Sequence, residues 1–321
     1  MTVTYDLLTL GETMLRLSPP DNLRLGQSAL LMLRFGGAES NVAANLARLG
    51  RRVSWWSRLP DNPLGHQLID DLRGHGVFTD NVLFCPGERL GTYFIEYGTP
   101  PRGIKVWYDR ANSAASKMRP DDVPDSWLDS GRWLHLSGIT PALSDTCHET
   151  MWHVVDHAKG HRTPLSFDVN YRSLLWTPDV AGRCLESFCR VSDVVFIALR
   201  DAAMLFGVAE DTAAGVARRL QSDWGGTVIV TAGDAGSAAC DGEDVYTAAA
   251  YPAVIVDRIG AGDAFASGVL DRLLDAAPLV DALRFGAALA ALKLTIPGDV
   301  AQVIRDDVAQ LLSAQSNKLR R

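Results

Sequence analysis

Short apolar runs alternate with stretches of helical spacing along most of the 321 residues. Tyr5–Gly11 (YDLLTLG) is a continuous apolar run closed by glycine, the pattern of a buried strand. Ser40–Leu49 repeats its apolar positions at helical spacing and stops before Gly50, a C-cap residue. Val53–Leu59 reads as the next strand and Pro63–His75 as the next helix. The alternation resumes with strand-like runs at Trp133–Ser137, Leu165–Val169, Val194–Ala198 and Thr227–Thr231. Helical stretches such as Asp145–Lys159 and Asp179–Cys189 separate them. Strands that alternate with helices predict an α/β fold with a parallel sheet covered on both faces.

Two segments break the rhythm. Met14–Phe35 is one. The other is Gly91–Tyr108, with strand-like runs at Thr92–Tyr97 and Lys105–Tyr108 around a Pro100-Pro101-Arg102-Gly103 turn. These strands follow each other without helices, so they predict a small separate sheet, a lid over one end of the main domain. The lid then comprises about 12–36 and 88–116 of one domain spanning 1–314, with 315–321 a solvated tail. Beyond Gly260 the pattern is mostly helical.

Composition narrows the class. With 47% hydrophobic and 21% charged residues the chain has an ordinary globular makeup and material for a sizeable core. A net charge of −7 argues against nucleic-acid binding, which needs a basic surface. The apolar runs fall short of the ~20 residues of a membrane span, and Met1–Leu10 lacks the basic start of a secretion signal. Five cysteines without a CxxC pair read as reduced thiols of a cytoplasmic protein. The seven histidines and Trp55, Trp56, Trp107 and Trp133 show no ligand spacing, so no chemistry is expected of them.

The most informative stretch is Asp257-Arg258-Ile259-Gly260-Ala261-Gly262-Asp263-Ala264-Phe265. It follows a β-rich segment, Val254–Val256, and opens a helix-like run, Ala264–Asp275. Two glycines allow a tight turn with exposed N–H groups, and a helix start adds unpaired donors and partial positive charge. Together they form an anion pocket. A carboxylate there would repel a merely bound phosphate; it makes sense facing an incoming hydroxyl whose proton it accepts. Phosphoryl transfer goes through a loose transition state, so an ordinary carboxylate suffices as base. Alone, the four residues serve equally well as a turn before a helix. No GxxxxGK[ST] occurs, and the GxG lacks its third glycine and lies too late for a dinucleotide fold.

A second distinctive run is Gly36-Gly37-Ala38-Glu39-Ser40-Asn41-Val42-Ala43. The glycine pair lets a ligand approach the backbone, and Asn41 offers a donor and an acceptor for hydroxyls; a plain helix start with alanine packing would look the same. With both runs in view the sequence resembles the ribokinase-like (PfkB) carbohydrate kinases, whose two signatures are GGA-x-x-N-x-A and D-x-x-GAGD-x-F, from Leu8 to about Gln302. The resemblance implies a three-layer α/β/α sandwich with a β lid, ATP and Mg²⁺, Asp263 as catalytic base, and Gly260, Ala261 and Gly262 as the anion hole. It sets Asn170 and Arg172 near the phosphates. Thr231-Ala232-Gly233-Asp234-Ala235-Gly236 is similar to the family's nucleotide-binding turn, with adenine between it and the helix around Ala287, Ala288 and Ala291. Three departures stand out: Arg258 replaces a small residue or proline, Ala198-Leu199-Arg200-Asp201 replaces N-x-x-E, and Ala232 replaces the usual residue before Gly233.

Within the family, Gly11-Glu12, Tyr108-Asp109-Arg110-Ala111, Asp168-Val169-Asn170-Tyr171-Arg172, Asp257-Arg258-Ile259 and Thr295-Ile296-Pro297-Gly298-Asp299 look most like 2-keto-3-deoxygluconate kinases. That subgroup implies phosphorylation of a sugar-acid hydroxyl. Separately, arginine meets a carboxylate with two charge-assisted hydrogen bonds. Arg110 on the lid and Arg172 at a strand end are the candidates. Tyr93 and Tyr108 are placed to bond hydroxyl or keto oxygens, and Asp299, after Gly298 at an expected helix start, to bond a hydroxyl. A fructokinase of the same fold, a non-catalytic sugar-acid sensor and a nicotinamide oxidoreductase are the rivals. Exposed lid strands offer edges for a homo-oligomer.

Overall fold

In the computed structural model the described residues are 4–98 and 101–319. The chain begins with β1 (Leu7–Leu10), β2 (Met14–Ser18) and β3 (Met32–Gly36), then α1 (Ala38–Arg48), β4 (Val53–Trp56), β5 (Arg58–Pro60) and α2 (Pro63–Gly74). Next come β6 (Leu83–Cys85), β7 (Thr92–Glu96) and β8 (Lys105–Asp109). The middle alternates α3 (Asp125–Leu128), β9 (Leu134–Ser137), α4 (Asp145–His161), β10 (Leu165–Asp168), α5 (Pro178–Val191) and β11 (Val194–Ala198). After α6 (Leu199–Phe206), α7 (Ala213–Trp224) and β12 (Thr227–Thr231) the chain folds back through β13 (Ser237–Cys240) and β14 (Val245–Ala248). It closes with α8 (Ala261–Leu274), α9 (Leu279–Leu294) and α10 (Arg305–Leu319).

The main sheet has eight strands in the order β14-β13-β12-β11-β10-β9-β1-β4. From β12 to β4 every pair is parallel, while β13 and β14 are antiparallel. Its central strands are apolar at successive positions because both faces are covered. Leu7, Trp55 and Phe196 enter one core with Val42 of α1, Phe265 of α8 and Leu283 of α9. Their neighbours Leu8, Trp56 and Val195 enter the other, with Met151 of α4, Leu185 and Phe188 of α5 and Leu220 of α7. This is the three-layer α/β/α sandwich.

A second sheet, β3-β2-β7-β8, stands over the carboxyl ends of the main strands. Its strands come from the two segments that break the alternation, joined by a parallel β2–β7 pair across more than seventy residues of chain. Pro100 of the expected turn lies outside the described residues.

Three local expectations are corrected. The Val53–Leu59 strand ends at Trp56; Arg58–Pro60 leaves the main sheet to pair with β6. Val254–Val256 is not a strand: its side chains are exposed, and the amides of Val256 and Asp257 bond the carbonyl of Leu294 at the end of α9. The expected tail instead continues α10 as far as Leu319, and Arg320 and Arg321 lie outside the described residues.

Candidate active site

A cavity of about 410 Å³ lies between the lid and the carboxyl ends of the main strands, the position where open α/β sheets bind ligands. Gly260 caps α8 at φ 81°, a left-handed conformation that favours glycine. A Cβ there would also collide with the carbonyl of Asp299, so the turn is fixed by two independent constraints. At Gly262, two residues on, a Cβ would meet nothing, because this residue faces the open cavity. In the first turn of α8 the Ala261 amide donates to the Arg258 carbonyl at 3.3 Å, and those of Gly262 and Asp263, without an acceptor among the described residues, are available to an anion.

Asp263 follows in that first turn and is 9% exposed. Nδ2 of Asn41, from the first turn of α1, donates to its Oδ2 at 2.7 Å. Burial pushes its carboxyl up to about 6, against the pull of the Asn41 hydrogen bond and the Arg172 charge. The two glycine-rich runs thus meet at one carboxylate through residues 222 positions apart. Gly36 and Gly37 line the same cavity: a Cβ on Gly36 would strike Asp299 and Tyr93, and one on Gly37 the backbone of Glu12.

The lid contributes Tyr93, Tyr108 and Arg110, all on the cavity wall. Tyr93 and Tyr108 stack with centroids 5.8 Å apart, and Tyr93 donates to Asp299 at 2.8 Å. Arg110 donates through Nε to Glu12 at 2.8 Å and also through Nη2, and Ser113 donates to the other oxygen of Glu12. Glu12, 2% exposed, therefore aims the Arg110 guanidinium while its Nη1 edge has no acceptor among the described residues. Asp299 is not at a helix start, since α10 begins only at Arg305. Its position comes from tertiary pairing: Arg16 of β2 bonds it and also Asp257 at 2.6 Å.

On the main-sheet wall, opposite the lid, lie Asn170, Arg172 and Thr231, together with Asp168 and Asp201. Asn170 takes φ 42°, and its amide donates to Asp168 Oδ1 at 3.1 Å. Burial and the nearby Asp263 charge push Asp168 up to about 7, and burial raises Asp201 as well. Three carboxylates held above their ordinary range beside Arg172, Arg200 and Arg258 make a site that gains from a bound cation. Asp201 is the last residue of the stretch that departs from N-x-x-E, so an acid is retained at its end.

Four expected residues do not reach the cavity. Ala261 is on the turn but not on the wall. Gly233 and Gly236 shape the hairpin turn after Thr231, both at positive φ, and line no part of it. Ala288 is fully buried against Ala264, Ala301 and Val303, because its phase on α9 faces α8 and α10. Conversely, several residues had no assigned role. Arg16, 1% exposed, joins the lid to Asp257 and Asp299; Tyr97 also donates to Asp257, at 2.6 Å. The fully buried Lys293 donates to the carbonyls of Asp257 at 2.9 Å and Ile296 at 3.1 Å, bracing the loop ahead of Gly260. Glu39 accepts from Ser137 and Thr140, each at 2.7 Å, and burial pushes it up to about 7. The histidines are a further correction: His157 and His161 gather around Asp129.

Residues 5–304 match the family described as pfkB family carbohydrate kinase. Among proteins of assigned activity, the chain is 42% identical to a 2-dehydro-3-deoxygalactonokinase of Haloferax volcanii, with 97% of each chain covered. It is 31% identical to the 2-dehydro-3-deoxygluconokinase of Bacillus subtilis, over 97% of this chain and 96% of that one. Among solved structures, the 2-dehydro-3-deoxygluconokinase of Thermotoga maritima superposes with a TM-score of 0.92 at 34% identity, covering 96% of this chain and 99% of that one. A buried carboxylate behind a glycine turn, a lid sheet and this breadth of similarity give one conclusion: the chain belongs to the pfkB family of carbohydrate kinases and is a sugar phosphotransferase.

Proposed function

We propose that this kinase transfers the terminal phosphoryl group of ATP to the terminal hydroxyl of 2-keto-3-deoxygluconate. The carrying observation is that one cavity holds Asp263 and two arginines, Arg110 and Arg172, on different walls. Asp263 accepts the proton of the attacking hydroxyl, and Asn41 holds the carboxylate that does so. Gly260, Ala261 and Gly262 shape the turn whose amides receive charge on the moving group. Arg110, aimed by Glu12, takes the substrate carboxylate through its unpaired edge; Tyr108 covers the sugar chain, and Tyr93 and Asp299 face its hydroxyls. Lid closure excludes water, the competing acceptor.

ATP fits the other wall, along Asn170, Arg172 and Thr231 and the turn held by Gly233 and Gly236. The donor set there also fits Mg²⁺: Asp168 and Asp201 offer hard oxygens whose buried charge a cation would relieve. Bound with the nucleotide, Mg²⁺ supplies neutralisation of phosphate charge. The similarity to the H. volcanii enzyme favours a second reading, the C4 epimer 2-keto-3-deoxygalactonate. Initial rates with ATP on both epimers, fructose and ribose decide among them. Turnover of one or both sugar acids at least ten-fold above fructose is expected, whereas equal or better fructose turnover makes the enzyme a fructokinase and no turnover a sensor. No helix among the described residues is long and apolar enough to cross a membrane. A cytoplasmic homo-oligomer, joined through the lids and without nucleic-acid partners, completes the proposal.

A further inference from the structure

We infer that the protein carries a first-row transition-metal site, formed by His157, His161 and Asp129, at the end of the main sheet remote from the cleft. His157 and His161 are four residues apart on α4, so their rings share one helix face. The rings stack with centroids 4.2 Å apart. Both Nε2 atoms turn to one carboxylate: Asp129 Oδ1 is 3.0 Å from that of His157 and 3.8 Å from that of His161. One donor atom from each of the three residues lies within 4.8 Å of the other two.

Of the two remaining ring nitrogens, that of His161 is hydrogen-bonded and that of His157 faces a second carboxylate. Nδ1 of His161 donates to the carbonyl of His157 at 2.9 Å, and Nδ1 of His157 faces Asp125 at 3.9 Å. The first bond fixes the tautomer that leaves the His161 Nε2 lone pair free for a metal, whereas His157 Nε2–H donates to Asp129 Oδ1 at 3.0 Å and exchanges that proton for the ion on binding. Asp129 is held as the C-cap of α3, its amide bonded to the carbonyl of Asp125 at 2.9 Å. Two imidazoles and one carboxylate suit Zn²⁺, Ni²⁺ or Cu²⁺, whereas Mg²⁺ and Ca²⁺ favour all-oxygen sets. Drawing the three donors to roughly 2.0–2.2 Å from one ion requires rotation mainly of His161. Its side chain is 57% exposed, against 13% for His157 and 17% for Asp129. Water completes the coordination on the open side.

Because α4 runs from the carboxyl end of β9 back to the start of β10, His161 sits far from Asp263. The ion therefore acts as a staple. It ties the end of α4 to the connection that enters β9, fixing the approaches to two neighbouring strands of the main sheet. The test uses full-length protein without an affinity tag, stripped with EDTA and titrated with Zn²⁺ and Ni²⁺ against a chromophoric chelator at pH 7.5. One equivalent should bind saturably and raise the melting temperature, while Mg²⁺ at the same concentration does neither. His157→Gln and His161→Gln should each weaken binding at least ten-fold with sugar phosphorylation unchanged. Absence of saturable binding, or binding that both variants retain at full strength, overturns the site.

Discussion

At the residue scale the chemistry turns on a carboxylate that the fold makes costly to charge. Burial lifts Asp263 to about 6, and Asp168 and Glu39 to about 7. A base must be ionised to accept a proton, so kcat/KM should fall as the pH drops through about 6 and level off above it. A pH–rate profile flat down to pH 5 would remove Asp263 from that role. The same burial acts oppositely on stability. Where the folded pKa exceeds the unfolded value, the folded state holds the proton more tightly, so stability declines as pH rises between the two. Asp263→Asn removes the buried charge and keeps a partner for Asn41. It should lower kcat by roughly 10²–10⁴ while leaving the melting temperature at pH 7 unchanged or higher. Arg110 carries the specificity argument. Arg110→Ala should raise KM for the sugar acid about ten-fold or more, the loss of one charge-assisted contact, with little effect on a neutral sugar. Pairing it with Glu12→Gln avoids leaving an unpaired buried carboxylate, and KM values for both substrates decide the matter.

At the element scale the lid and the anion turn form one mechanical unit. Arg16 of β2, Tyr93 of β7 and Tyr97 just after β7 hold Asp257 and Asp299. Asp257 precedes the Gly260 turn by three residues, and the Asp299 carbonyl packs where a Cβ of residue 260 would sit. Replacing Arg16 with methionine strands two buried carboxylates. A loss of about 3–5 kcal/mol in urea denaturation is expected, together with a drop in kcat in the fraction that still folds. Unaltered stability would mean that the carboxylates find other partners. This unit was the part of the site least visible in sequence, since Arg16 and Asp299 are 283 positions apart and Arg16 belongs to no motif. The catalytic turn was visible, because the left-handed, crowded position of residue 260 requires glycine and so leaves a local mark. Likewise the parallel strands were legible as unbroken apolar runs, a consequence of cover on both faces. The strand β13, Ser237-Ala238-Ala239-Cys240, next to the edge, is built of small residues that carry no periodic signal. Ala288 was misplaced for a related reason: α9 is apolar nearly all round, so its sequence does not tell which face meets the sheet.

At the scale of the whole molecule, the lid sheet is the place where a single chain is least finished. Its outer strands β3 and β8 have unpaired edges. Leu30, just ahead of β3, is 74% exposed, Met32 is 47% exposed, and Trp107 on β8 is 45% exposed. Burying such side chains is worth roughly 1.5–3 kcal/mol each, so pairing two lids offsets much of the cost of association. Pairing would also stiffen the strands that carry Tyr93, Tyr108 and Arg110 over the substrate, which links assembly to sugar affinity. Light scattering should therefore give twice the 34.8 kDa chain mass. Leu30→Asp with Met32→Glu should shift it to the monomer. Because ATP is assigned to the opposite wall, the monomer should keep its nucleotide affinity while KM for the sugar acid rises several-fold. A wild-type chain that stays monomeric at working concentrations would refute the lid pairing. A variant that dissociates without any change in KM would show that each lid closes over its own cleft unaided.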